Sequence, residues 1–419
     1  MSARDRRVRL GWALGVAAAL VAVAVTAGVT WPAPVALAEP APSPSVSASA
    51  ISGDRAAVWD ELNTALAEKD RAGFLAHASG AAAQALARWW DGTTAIGWDT
   101  AAITPWDDAT VVLGAELAFA PSSARGSGTP DAGLDLLQGS YYRVTWDDSG
   151  ALATFEPYFA PLPWDGGPLH VARAEHVVLF GASDEAALID AELATAEQSA
   201  VLALDELKAL GGQVPVTGFL AAITDSTERL TRWHFGDDAE WDMAVAGFAG
   251  SAFRPPRDEP WLPARIATGE VSSGTIVCLG PLSRDQRVET FTHEFLHALH
   301  YAAVSTGATG APQAVMEGFA EFATARSGAD ADRSTDSRVT AAIADRGTAA
   351  FSDEALRSTD AWIAYAAAAS VYAWVADAGG DPWRLAVTAQ SEAQDLMTAA
   401  AAQNPALTPA AWQAWATSR

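Results

Sequence analysis

Between residues 58 and 75 the apolar positions recur at helical spacing. Val58, Leu62 and Leu66 share one face, and Asp70 is placed to cap a second helix carrying Phe74 and Leu75. After the Trp89-Trp90 pair the period shortens. Val111 to Ala120, Tyr141 to Trp146, Leu152 to Phe159 and Leu169 to Phe180 read as strands, with Asp147-Asp148-Ser149-Gly150 as a hairpin turn between two of them. Residues 53–183 are therefore expected to form a domain of helices followed by a curved antiparallel sheet. Residues 184–212 read as a helical connector closed by Gly211-Gly212. A further domain at 213–419 opens with strand-like Val216 to Thr224, Met243 to Phe248 and Gly274 to Leu279. From Ser283 onward it becomes a series of Ala-rich amphipathic helices. Strands first and helices afterwards predict an α+β class with a small sheet and a mostly helical C-terminal half.

The start of the chain has no such pattern. Arg4, Arg6, Arg7 and Arg9 precede an uncharged stretch from Leu10 to Thr30, then Pro32, Pro34 and the small-x-small site Ala36-Leu37-Ala38. Residues 1–38 are expected to be a signal peptide cut after Ala38 or, since about twenty apolar residues can span a bilayer, an uncleaved membrane anchor. Both place the rest of the chain outside the cytoplasm, secreted or held at the outer face of the membrane. Residues 39–52, EPAPSPSVSASAIS, read as a flexible tether. Half of the residues are hydrophobic and 18% charged, a globular balance, and the formal net charge of -25 argues against a nucleic-acid partner. The one cysteine, Cys278, permits no internal disulfide and reads as a buried small residue.

The candidate chemistry lies in Thr292-His293-Glu294-Phe295-Leu296-His297-Ala298-Leu299-His300, which holds three of the seven histidines. Ser283 and Gln286 form a capping box, so a helix should begin near Arg284 and run to about Ser305. On it His293 and His297 stack one turn apart and can reach one ion, while Glu294 projects about 100° round the helix. Val288, Phe295, Leu296 and Leu299 would seat the helix. Pro312 should open a second helix carrying Glu317 and Glu321 on one face. Two imidazoles and one carboxylate suit Zn2+, leaving a fourth position for water. His300 reads as a supporting or structural residue. His77, His170 and His176 are scattered and read as structural.

This HExxH followed by Glu317-Gly318-Phe319-Ala320-Glu321 resembles the gluzincin zinc metallopeptidases. The resemblance implies Glu317 as third ligand and Glu294 as general base. It implies Glu321 as an acidic group orienting a ligand histidine, and a peptide or protein as substrate. It further implies a tyrosine that hydrogen-bonds the tetrahedral intermediate, best matched by Tyr365 and otherwise by Tyr372. A strand edge at Gly274 to Leu279 would pair with extended substrate. The spacing from His297 to Glu317 is one longer than in aminopeptidase-like members, and their motif for a substrate amino terminus is not visible. The order of elements in 53–183 resembles the cone-shaped nuclear-transport-factor-two-like fold. The competing reading is a non-catalytic exported binding or scaffold protein that keeps a peptidase-like zinc site.

Overall fold

The computed structural model describes residues 53–98, 100–105, 108–117, 136–158, 160–213, 217–236, 247–249, 276–280, 283–304, 311–330, 333–358 and 360–419. The expected export segment at 1–38 and the tether at 39–52 lie outside the described residues, as do 214–216, 243–246, 274–275 and Ser305. Among the described residues no helix is long and apolar enough to cross a membrane. They fall into two compact units, 53–304 and 311–419.

In the first unit, helix α1 (Gly53–Glu68) buries Trp59, Leu62, Ala65 and Leu66, a stripe at three- and four-residue spacing. Asp70 caps α2 (Arg71–Ala76) by accepting the Ala72 N–H at 3.0 Å. Phe74 from α2 packs on Trp89 and Trp90 of α3 (Gly80–Ile96). Four antiparallel strands follow in the order β1 (Thr100–Pro105), β2 (Thr110–Leu117), β3 (Leu136–Trp146), β4 (Leu152–Pro157). The β3–β4 turn is the expected one, with the Asp147 carboxylate accepting the N–H groups of Ser149 and Ala151. Strand β1 was not expected from the sequence. Its Thr-Ala-Ala-Ile-Thr-Pro run has one large apolar residue, and part of its pairing comes from a side chain: Asn63 of α1 bonds both the N–H and the C=O of Ile103 at 2.8 Å.

A second sheet has the order β5 (Leu169–Arg173), β6 (Val177–Ala182), β7 (Phe219–Ile223), β9 (Ile276–Leu279), β8 (Gly247–Ala249). Strands β6, β7 and β9 are parallel, and β5 and β8 are antiparallel edges. This corrects the reading of Leu169 to Phe180 as one strand of the first sheet. The segment is a hairpin, turned where the Ala174 N–H meets the Val177 carbonyl, and β6 pairs with β7. The cause is topological. Two parallel strands need a crossover of a dozen or more residues, and helix α4 (Ala186–Ala209) supplies it. The expected connector at 184–212 is thus internal to one sheet.

Asp165 sits on the single 3-10 turn Pro163–Asp165 between the two sheets. Its carboxylate accepts the Leu162 N–H at 2.8 Å and the Tyr142 hydroxyl at 3.0 Å. Burial raises its pKa to about 6, opposed by those two bonds and by Arg88 and Arg232. The folded value lies above the ordinary 3.8. Its stabilising contribution is therefore complete below the unfolded value and is lost as pH rises through about 6. Two pKa units correspond to about 3 kcal/mol. Asp165→Asn should accordingly gain about 2–3 kcal/mol relative to the parent between pH 4 and pH 7, read from denaturant unfolding at each pH. A difference that does not change with pH would remove Asp165 as the cause.

The unit continues through α5 (Thr227–Phe235) and ends on α6 (Arg284–Ala303). The second unit is helical among its described residues: α7 (Gln313–Ser327), α8 (Ser337–Arg346), α9 (Asp353–Leu356), α10 (Ala361–Asp377), α11 (Pro382–Ser391), α12 (Leu396–Gln403) and α13 (Pro409–Thr417). The expected α+β class holds, and so does the mostly helical C-terminal half. One detail differs. Helix α10 is not amphipathic: Ala364, Ala366 to Tyr372, Trp374 and Val375 are all buried, so it is wrapped by its neighbours. Helix α7 approaches it tightly at Gly318, where an added Cβ would stand 2.8 Å from the Ala368 Cβ and 3.0 Å from its carbonyl carbon. Only glycine allows that approach.

Candidate metal centre

Helix α6 begins where the sequence predicts. The Ser283 N–H donates to the Gln286 side chain at 3.1 Å, and the Ser283 hydroxyl receives the Gln286 N–H. Its buried face is Phe291, Phe295, Leu296 and Leu299, with Phe295 stacked on Phe219 of β7 at a centroid distance of 4.1 Å. Val288 is half-buried, so Phe291 takes the place expected for it. Ser199 of α4 bonds the Val288 carbonyl.

Arg287 is an anchor that sequence reasoning missed. It is 3% exposed and lies 2.7 Å from Asp225, in the β7–α5 turn, and 3.8 Å from Glu192 of α4. Asp225 is in turn held through its N–H by Glu185, which also takes the Thr224 hydroxyl. A cation in the first turn of a helix opposes the helix dipole. That misfit was the available signal that Arg287 is held by carboxylates from elsewhere.

His293 and His297 bring their Nε2 atoms to 3.0 Å, with the rings nearly perpendicular at 81°. With Glu317 of α7 they are the residues that could hold a metal ion. Tetrahedral zinc with bonds of about 2.0–2.1 Å places ligand atoms roughly 3.3 Å apart, so the imidazole pair matches, and two imidazoles with a carboxylate are a donor set that suits zinc. Glu294 and His297 are 7% and 6% exposed, while His293 and Glu317 are half-buried.

The remaining candidates divide by their contacts. His300 is buried within α6, and its carbonyl receives the Val304 N–H that closes the helix. Glu321 is buried on α7 with the Arg333 guanidinium 3.9 Å away. Tyr372 is a core residue. Its hydroxyl donates to the Val315 carbonyl at 2.7 Å, its ring packs between Phe319 and Phe322, and burial holds its pKa well above the ordinary value. Tyr365 is half-buried, seven residues before Tyr372 and hence on nearly the same side of α10. His77, His170 and His176 pair with Glu61, Asp190 and Glu197 at 3.0, 2.8 and 2.7 Å.

A second group, Glu175, His176 and Glu197, also has metal-ligand spacing. Both Glu197 oxygens already accept bonds, from the His176 backbone N–H and its ring Nδ1. It reads as a tie that shapes the β5–β6 turn.

The chain matches no family model, no curated protein and no solved structure.

Proposed function

We propose that the chain is an extracytoplasmic zinc-dependent peptidase, with His293, His297 and Glu317 as ligands. The observation that carries the reading is the pair of imidazoles on one face of α6, their Nε2 atoms 3.0 Å apart, with the buried Glu294 between the two histidines in the chain. Bound zinc would lower the pKa of a coordinated water to about 7 and polarise a carbonyl group. Glu294 takes a proton from the attacking water and later delivers it to the leaving amine. Tyr365 donates a hydrogen bond to the substrate carbonyl oxygen as that oxygen gains charge. Glu321, on the helix that carries Glu317, has the Arg333 guanidinium 3.9 Å away. The substrate is a peptide or protein met outside the cytoplasm, and membrane contact is limited to the N-terminal segment.

The test is turnover of a mixed peptide library by the full chain, with and without a chelator. Purified protein should carry close to one zinc per chain, and peptide cleavage should stop on chelation and return with zinc. His297→Ala and Glu317→Ala should each lose most of the metal. Zinc-loaded protein that cleaves nothing would favour the exported scaffold over the enzyme. A full zinc complement in Glu317→Ala would strike that residue from the ligand set.

A further inference from the structure

The β5–β6 hairpin turns through two residues, Glu175 and His176, and is closed by the Ala174 N–H on the Val177 carbonyl. Its backbone is held on both sides. The His176 carbonyl receives the Phe219 N–H at 2.7 Å from the start of β7, and the His176 N–H donates to Glu197 Oε2 of α4 at 2.9 Å. The ring is held as well, with His176 Nδ1 standing 2.7 Å from Glu197 Oε1. One carboxylate thus clasps both the backbone and the ring of a single histidine.

Glu175 is the part that this tie does not explain. It is exposed, yet one of its oxygens lies within 4.8 Å of the ligand atoms of both His176 and Glu197. Among the described residues it makes no ion pair or hydrogen bond. Two carboxylates this close disfavour each other's charge unless a cation stands between them. His77 and His170 show the contrast. Each pairs with one carboxylate, Glu61 or Asp190, and among the described residues neither belongs to a group of three. A structural tie needs one carboxylate, and an ion site needs the second.

We propose that Glu175, His176 and Glu197 bind a divalent transition-metal ion at a site separate from α6. Glu197 Oε2 keeps the His176 backbone N–H, an outer bond that orients the carboxylate. Nδ1 and Oε1 become ligands. The neutral ring then carries its proton on Nε2, and the ion replaces the hydrogen between Nδ1 and Oε1. Ligand atoms around zinc are about 3.3 Å apart, so these two separate by roughly 0.6 Å. The exposed Glu175 side chain swings in as the third ligand, and water fills the remaining position. One imidazole with two carboxylates suits zinc or copper, whereas calcium takes oxygen ligands. Bound there, the ion joins the hairpin to α4. Exposure of Glu175 lets the ion exchange, so the site fills from added metal and does not hold it through purification.

The receptor for the test is the full chain with His293→Ala/His297→Ala, which removes the α6 imidazoles. Stripped of metal, it is titrated by calorimetry with Zn2+ and separately with Ca2+. One zinc should bind saturably per chain, about tenfold or more tightly than calcium. Adding His176→Gln should weaken zinc by about 100-fold and Glu175→Gln by about tenfold, while His170→Gln should leave it unchanged. Glu175→Gln alters an exposed side chain that holds no other residue, so its result does not depend on a disturbed fold. The proposal is overturned by a chain that takes up no zinc, by zinc affinity unchanged in Glu175→Gln or His176→Gln, or by calcium binding as tightly as zinc. Peptide turnover plays no part in this measurement, so the site stands or falls separately from the proposed activity.

Discussion

Glu294→Gln should keep its fold and its zinc and lose peptide turnover by about 10⁴-fold, the upper range for a positioned general acid–base. The amide has nearly the same shape as the carboxylate and is not a member of the group formed by His293, His297 and Glu317. Metal affinity therefore has no reason to change. What the amide lacks is a basic oxygen. It cannot take the proton of the attacking water, and it has none to hand to the leaving amine, so both halves of the reaction suffer. Because Glu294 is 7% exposed, bulk water cannot easily stand in as the base. The loss should fall on kcat and on kcat/KM together, the pattern of an interaction made in the transition state. Turnover equal to that of the parent would mean that His293 to His297 is not the active site.

Tyr365→Phe should lower turnover by about 10²–10³, or roughly 3–4 kcal/mol, with zinc content and KM nearly unmoved. The structure narrows the choice between the two tyrosines of α10. The Tyr372 hydroxyl is committed to the Val315 carbonyl inside the core, so Tyr372→Phe should cost stability more than catalysis. Tyr365 lies three residues from Ala368, the residue pressed against Gly318 beside Glu317. At a rise of 1.5 Å per residue that is about 4.5 Å along the helix axis. Gly318 thus ties the register of the tyrosine helix to the glutamate helix. Full activity in Tyr365→Phe, measured as kcat on a cleaved library peptide, would end its role as oxyanion donor.

The sequence was most informative where one local interaction decides the outcome. The capping box at Ser283, the Asp70 cap and the turn at Asp147 each depend on residues within a few positions, and each formed as expected. The i, i+4 histidines needed only the helix geometry to converge. Long-range pairing was harder to read. Val177 to Gly181 is buried throughout, as for an inner strand, but nothing in that run names β7 as its partner some forty residues later. Strand β1 was invisible because Asn63, in a different element, supplies its recognition. Arg287 was overlooked for the same reason: its carboxylates come from α4 and from the β7–α5 turn. The core role of Tyr372 could not be read from spacing, since it rests on the hydroxyl reaching the Val315 carbonyl of another helix.

Helix α6 is fixed by protein contacts at three points along its length: the Ser283 box at its start, Arg287 between two carboxylates, and Phe295 against Phe219. This has a thermodynamic consequence for the ion. In small zinc modules the free energy of binding is consumed in folding the chain, and chelation unfolds them. Here the two imidazoles sit on a helix whose position is already determined, so little of the binding energy is spent on ordering it. Folding of the first unit then does not require the metal, although bound metal still raises its stability by mass action. A chain built this way folds first and takes up its ion afterwards.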